Sequence, residues 1–466
     1  MPLVPRDKKR DPNSARKQRR AAQFGHGKPK PAGPPGASRP PIQTVQARGP
    51  KQRRAMSMSR TPGRVNADGP RALAEGLVAA LRAPQVEHEV AESLTHPLHS
   101  YPARLHPATA RILIDIVGDH TRRGPLVDPF CGSGTVLVEA RAANLRAVGT
   151  DLSPLATLIA RAKTWTVPAR RRRELRDTGH AIGGAVLAAG KEARRSGAQM
   201  MPQRKPAGFD PNARDRRLAA WFSPHVRREL ELIAAYIDDL RTRDIELADV
   251  LLACLSSALY KVSSRTSDTD ETWVAREVAR GAATRHFLQR VDLLEAGLAD
   301  MPGGSPAEIH EIDVRKLGEV IPDGTAAGIV TSPPYAGTYD YTEHQRLRFD
   351  FLALRHRDFD AGEIGSRRSF RTDAIPAEKA WRRALAQVLD VMGRALASGA
   401  RAAIVLGDSY AGGRGYHALD DLRGALGGDL FIEAWASQER PMLGSGERRA
   451  FADRPKSEHV ILLRKA

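Results

Sequence analysis

A chain of 466 residues, 41% of them hydrophobic, can bury a full core and has room for two or three domains. No run approaches ~18 consecutive apolar residues and the N-terminus carries no apolar signal core, so we expect a cytoplasmic protein with no membrane partner. Two cysteines, Cys131 and Cys254, exclude a disulfide framework and a paired-cysteine metal knuckle. The net charge of +19 points to a polyanionic partner, and it is concentrated: residues 1–70 hold 17 Lys+Arg against 3 Asp+Glu, which leaves only about +5 for the rest.

That N-terminal stretch scatters Lys8-Lys9-Arg10, Arg16-Lys17, Arg19-Arg20 and Arg53-Arg54 among prolines and glycines without apolar periodicity. The composition predicts a disordered basic arm over 1–70 that adds sequence-blind phosphate contacts. A solvated tail is the alternative, as is a start placed too early, with Met56 or Met58 as the true one. Residues 71–167 read as the first part of an α/β domain, opening with a helix over 71–82. His96, His99 and His106 follow in a Pro-rich stretch without a cysteine or carboxylate at ligand spacing, which favours a loop over a ligand pocket rather than a metal site. A helix is expected over 108–118.

Pro125-Leu126-Val127-Asp128-Pro129-Phe130-Cys131-Gly132-Ser133-Gly134-Thr135, with a helical pattern after it, reads as strand, glycine turn, helix. This arrangement lets a ligand approach backbone N–H groups and a helix N-terminus. Leu137 stands where a dinucleotide fingerprint needs its third glycine, and no Gly-Lys-Ser/Thr follows, so both common nucleotide loops are disfavoured. A second strand over 146–150 ends in Asp151, placed to accept both hydroxyls of a ribose, and Ser153-Pro154 opens the next helix.

Residues 168–305 interrupt the pattern. Arg170 to Arg173 is a basic run, and apolar spacing predicts helices over 230–240 and 251–259, hence a mainly helical insertion. It reads either as a reader of the target or as helices that only extend the core; Ser263-Ser264-Arg265-Thr266-Ser267-Asp268 is a polar stretch near the pocket in the first case. Over 306–466 the α/β pattern resumes with strands at 308–312, 326–330, 402–406, 430–436 and 459–463, an amphipathic stretch at 347–354 and helices at 380–396 and 419–426. The apolar run Ala326 to Val330 ends abruptly in Thr331-Ser332-Pro333-Pro334-Tyr335, as a buried strand does when its carboxyl end opens into a crevice. Two prolines stiffen a row of carbonyl oxygens beside the Ser332 hydroxyl and an aromatic ring, a set suited to a planar base with an amino group. A Pro-rich recognition peptide is the alternative. Tyr339 and Tyr341 read as lining the path of such a base or as packing aromatics.

Taken together, Asp128-Pro-Phe-Cys-Gly-Ser-Gly-Thr135, Asp151-Leu-Ser-Pro154 and Ser332-Pro-Pro-Tyr335 closely resemble the class I S-adenosylmethionine-dependent amino-methyltransferases, above all DNA methylases of the N4-cytosine/N6-adenine group. The resemblance implies a Rossmann-like, seven-stranded, mostly parallel sheet ending in an antiparallel hairpin, with the helical insertion added. It implies S-adenosylmethionine as cofactor, with Asp128, Phe130, Gly132, Gly134 and Thr135 around its methionine end, Tyr101 in a segment closing over that end, Asp151 and Leu152 at the ribose, and Asp313 at the adenine amino group. Ser332, Pro333, Pro334 and Tyr335 are then catalytic, DNA is the partner, and a restriction endonuclease is a companion. Ser at the first position tilts the substrate to cytosine N4. The rivals are a tRNA or rRNA guanine-N2 methyltransferase, whose usual Asp or Asn before Pro-Pro-Tyr is missing here, and a non-catalytic nucleic-acid-binding protein on the same fold.

Overall fold

The computed structural model describes residues 63–118, 124–197, 218, 221–264 and 277–466. Nearly all of the basic arm and most of the Ser263–Asp268 stretch lie outside the described residues. All the described residues belong to one compact unit, Arg54–Ala466. Among them, no helix is long and apolar enough to cross a membrane.

In chain order the elements are β1 (Val65–Asp68), α1 (Arg71–Val86), α2 (Pro107–Val117), β2 (Leu126–Asp128), α3 (Thr135–Ala142), β3 (Ala147–Asp151) and α4 (Pro154–Lys163). The insertion follows as α5 (Ala169–Ser196), α6 (Pro224–Arg241), α7 (Ile245–Val262) and α8 (Ala282–Asp300). Then come β4 (Glu308–Glu311), β5 (Ala326–Thr331), α9 (Tyr341–Leu352), α10 (Arg357–Gly362), α11 (Arg367–Thr372), α12 (Ala374–Ala395), β6 (Leu396–Gly407), β7 (Ser409–Ala411) and β8 (Arg414–Tyr416). The chain closes with α13 (Ala418–Ala425), β9 (Leu430–Glu439), α14 (Ser445–Ala450) and β10 (Ser457–Lys465).

The main sheet runs β1-β9-β10-β6-β5-β2-β3-β4. Strands β4, β3, β2, β5 and β6 are parallel; β10 is antiparallel to both β6 and β9, which gives the expected terminal hairpin. The seven expected strands are present, and an eighth joins them. Val65–Asp68, which the composition assigns to the arm, pairs antiparallel with β9. Its partners, Gln438 to Trp435, lie some 370 residues away, so no local pattern could announce it.

Alternation along the strands divides the core. Ile329, Ala402, Ile404, Leu406, Ile461 and Leu463 face α12 and α13, whereas Val330, Ala403, Val405, Val460 and Leu462 face α1 and α2. The strands are therefore apolar on both sides, as covered parallel sheets require. Between the faces, the order reverses at β2 and β5, so their carboxyl ends open a crevice.

The insertion is helical as expected. Leu175, Leu230, Ile233, Leu251, Leu255, Phe287 and Val291 form its core, which also takes in Leu98, Leu158 and Trp165. Glu229 ties the bundle: its carboxylate accepts from Gly281 N at 2.6 Å, Thr284 N at 3.2 Å and Thr284 Oγ1 at 3.1 Å, and so caps the start of α8.

Candidate active site

The crevice is a cleft of about 940 Å³, mouth included, and one wall is the turn after β2. Gly132 and Gly134 have φ of +49° and +78°, left-handed values that glycine adopts without strain. Gly134 is the N-terminal cap residue of α3 and does not itself line the cleft, whereas Phe130, Gly132, Ser133 and Thr135 do. Ser133 Oγ and Thr135 Oγ1 are buried without a hydrogen-bond partner among the described residues. In a lining wall, such orphaned groups wait for a ligand.

Two carboxylates anchor this wall. Asp128 Oδ1 accepts from Thr331 Oγ1 at 2.7 Å and from Phe130 N at 3.2 Å, which joins the ends of β2 and β5. Burial pushes its carboxyl up to about 7 against those hydrogen bonds. Asp151 Oδ1 accepts from Ser153 N at 2.8 Å and its Oδ2 from Gly132 N at 2.9 Å, so the tip of β3 holds the glycine turn. Burial raises it to about 6, with the backbone donors opposing. Two such groups side by side favour a cationic ligand over an anionic one. Cys131 is buried, and burial drives its thiol well above the usual range, so it packs rather than attacks.

The Tyr101 to Leu105 segment covers the same cleft. Tyr101 stacks on Tyr341, with ring centroids 6.5 Å apart and planes at 20°, and Tyr341 meets Tyr339 at 5.5 Å. The three nearby histidines have structural partners. His96 Nε2 lies 2.7 Å from Glu139 Oε1, His99 Nε2 lies 3.1 Å from Ser256 Oγ, and His106 Nδ1 accepts from Ala108 N. Burial lowers His96 to about 4, so it is neutral.

At the far end, Leu152 and Asp313 line the cleft. Asp313 caps the short helix Val314–Glu319, and its Oδ1 accepts from Arg315 N at 2.9 Å and Nε at 2.8 Å, while Oδ2 pairs with Arg315 Nη2. Burial opposes ionisation there, but Arg315 wins and holds the carboxyl below its ordinary value. Phe359, Gly362, Glu363 and Ile364 close this end; the sequence reading missed them, since they lie some 50 residues beyond Asp313.

Of the Ser332 to Tyr335 turn, Ser332 and Pro334 line the cleft; Pro333 is buried and Tyr335 lies behind. The Tyr335 hydroxyl donates to Glu458 Oε1 at 3.1 Å, and Glu458 is ion-paired with half-buried Arg440, whose guanidinium burial lowers to about 10. A methyl group on Gly407 would sit 2.7 Å from Tyr335 Cε2, so glycine there makes room for the ring. Trp381 Nε1 donates to Pro334 O at 3.2 Å and fixes the turn from α12. The carbonyl of Pro334 is thus engaged already. Trp381 and Glu458 carry no sequence signal of their roles, being 47 and 123 positions from their partners.

Comparison with known proteins agrees with this geometry. A family model, UPF0020, described as an RMKL-like methyltransferase domain, matches residues 98–174, the stretch holding the cover, the glycine turn and Asp151. The chain is 28% identical over 284 residues to the Type II methyltransferase M.MvaI of Kocuria varians, a match over 57% of this chain and 59% of that protein. Among solved structures, TrmN from Thermus thermophilus is 12% identical with a TM-score of 0.30, covering 78% of this chain and 49% of its own. The rRNA methyltransferase aviRa from Streptomyces viridochromogenes is 13% identical with a TM-score of 0.28, covering 83% and 94%. The sheet order and the glycine turn give the described unit a Rossmann-like, class I methyltransferase fold, and residues 98–174 match a methyltransferase domain.

Proposed function

We propose that this chain methylates an exocyclic amino nitrogen of a nucleic-acid base, namely N4 of cytosine in DNA, with a restriction endonuclease as companion. The observation that carries the reading is one cleft lined both by Asp128, the glycine turn and Asp151 and by Ser332 and Pro334. Its residues suit S-adenosylmethionine. Orphaned Ser133 Oγ and Thr135 Oγ1 fit the methionine carboxylate, while Asp128 and Asp151 favour its positive charge. Asp151 is placed for the ribose hydroxyls. Asp313 keeps lone pairs for the adenine amino group beside its arginine partner.

When bound, the cofactor supplies a methyl group on a sulfonium sulfur. The chain's own task is to present the amine. Its lone pair is delocalised into the ring, and acceptors at the two N–H groups, Ser332 Oγ and the Pro333 carbonyl, favour a tetrahedral nitrogen with the pair freed. Trp381 holds the turn so that these acceptors keep their places, and the cover of Tyr101 and Tyr341 keeps water away. Tyr335, held behind the turn by Glu458, supports it. No covalent enzyme intermediate is required.

The 28% identity to a Type II methyltransferase and serine at the first position of the turn support DNA and cytosine. The test is incubation of the purified chain with labelled S-adenosylmethionine and separate DNA and RNA pools, followed by mass spectrometry of the nucleosides. N4-methyldeoxycytidine is expected. N2-methylguanosine from RNA would overturn the reading.

A further inference from the structure

Glu363 stands out in this cleft. It lines the wall between the two ends: a methyl group on Gly362 would lie 2.5 Å from Leu152 Cδ2, and one on Gly365 would lie 3.3 Å from Tyr335 O. The segment therefore runs from the nucleoside end of the cofactor site to the Ser332–Tyr335 turn. The Glu363 side chain is only 3% exposed. One oxygen, Oε1, is fixed by the Tyr341 N–H at 2.8 Å. The other, Oε2, makes no hydrogen bond among the described residues, and its one ionic neighbour, Arg368 Nη2, stands off at 3.5 Å and is half exposed.

We infer that Glu363 reads the base: it acts in its protonated form, donating from Oε2 to the ring nitrogen adjacent to the reactive amine. This rests on the proposed base-methylating activity and narrows it. The division of labour fits the chemistry. Ser332 Oγ and the Pro333 carbonyl take the two amine hydrogens, Oε1 is already engaged, and Oε2 is left for the ring. On the Watson–Crick edge, cytosine and adenine present an unprotonated ring nitrogen beside the amine, which accepts such a donor, whereas guanine presents a ring N–H on that edge, its unprotonated N3 lying on the sugar side, and would need an ionised carboxylate. A carboxylic acid in this place thus selects against guanine.

The surroundings favour the acid. Burial pushes Glu363 up to about 7; Asp340 and Asp360 add to this, while the Tyr341 N–H and Arg368 oppose it. Asp360 is itself paired with His356, and Arg368 is shared with Asp340 at 3.8 Å. Beyond Gly362, Asp313 and Arg315 neutralise one another.

The test compares wild type, Glu363→Gln and Glu363→Ala for S-adenosylmethionine affinity by calorimetry and, with S-adenosylmethionine saturating at every pH, for kcat/KM on DNA between pH 6 and 8.5. For the wild type, kcat/KM should fall about tenfold per pH unit above about 7, roughly 30-fold by pH 8.5. Gln carries a permanent N–H donor, so E363Q should change less than about twofold from its own value at pH 6. E363A should lose at least about tenfold in kcat/KM at pH 6 with cofactor affinity within about twofold of wild type. Cofactor binding weakened in both variants would make Glu363 a cofactor ligand and overturn the inference. So would a pH profile shared by wild type and E363Q, or wild-type methylation of guanine rising with pH. Cofactor binding without methyl transfer to any base by the wild type would instead sink the proposed activity, and this inference with it.

Discussion

Replacing Asp151 with Asn probes the cofactor site at its most constrained point. The two oxygens of Asp151 accept from Ser153 N at 2.8 Å and Gly132 N at 2.9 Å. An asparagine must turn its NH2 toward one of these donors, so one backbone N–H loses its acceptor and the glycine turn loosens. The carboxylate would also accept the ribose hydroxyls. A hydrogen bond to a charged group contributes ~1.5–3 kcal/mol. Losing one or two of them, ~1.5–6 kcal/mol in all at ~1.4 kcal/mol per tenfold, predicts affinity weaker by about 10- to 20,000-fold. Calorimetry with S-adenosylmethionine reads this directly, with circular dichroism to confirm the fold. The pH dependence sharpens the test. A cationic ligand selects the ionised carboxylates, so wild-type affinity should rise with pH through about 6 and 7, where Asp151 and Asp128 ionise, and level off above. In D151N the part near 6 should vanish. Wild-type affinity in D151N at pH 8 would refute the ribose assignment.

Ser332→Ala should lower kcat by about 10- to 1,000-fold and leave cofactor affinity unchanged; an unaltered rate would remove Ser332 from the mechanism. Asp408, His459 and Ser437 resemble a hydrolytic triad, with Ser437 Oγ 2.6 Å from His459 Nδ1 and His459 Nε2 3.0 Å from Asp408 Oδ1. Asp408 also accepts from Ala418 N and Ser457 N and all three side chains are buried, so the group pins β6, β9 and β10 together. Asp408→Asn should cost roughly 2–4 kcal/mol in urea unfolding at pH 7. Burial opposes ionisation of Asp408 and His459 outweighs it, leaving the carboxyl below its ordinary value. Its stabilisation is present above the unfolded value of about 3.9 and fades as pH falls through the lower folded one, so the gap to D408N should close below about pH 4. Lys163 is wholly buried, its Nζ has no hydrogen bond among the described residues, and burial drives its amine well below the usual range. The unfolded chain binds that proton more readily, so wild-type stability falls as pH drops below about 10. Lys163→Met should be more stable by about 1–3 kcal/mol, with a wider margin at pH 6 than at pH 9 by thermal melting.

What was legible in the sequence was local. The glycine turn announces itself because Asp128, Gly132 and Gly134 are bound by backbone geometry within seven residues, and Asp151 follows from a strand tip. Tyr101, Asp313 and Ser332 line the cleft. What stayed hidden depends on distant pairing: Val65–Asp68 becomes a strand only through β9, and Trp381 fixes Pro334 only once α12 packs on the sheet. Glu363 carries no signal in the sequence, because a lone glutamate between two glycines looks like any surface turn. Its meaning comes from burial, which has no local signature.

The sheet's wiring also bears on how the chain is made. Strand β2 is the middle of the five parallel strands, yet Leu126 pairs with Gly328, about 200 residues downstream, and Asp128 receives its hydrogen bond from Thr331 across 203 positions. At ~5–20 residues per second of ribosomal synthesis, β2 waits roughly 10–40 s for its neighbour. Through that interval one edge of an apolar strand is unpaired, the condition under which nascent chains aggregate. The helices between them, α5 to α8, bury a core of local contacts and can fold while the sheet is incomplete. The same wiring makes ligand binding a late event: a chain stopped before β5 has the glycine turn but not the hydroxyl that holds Asp128 in place.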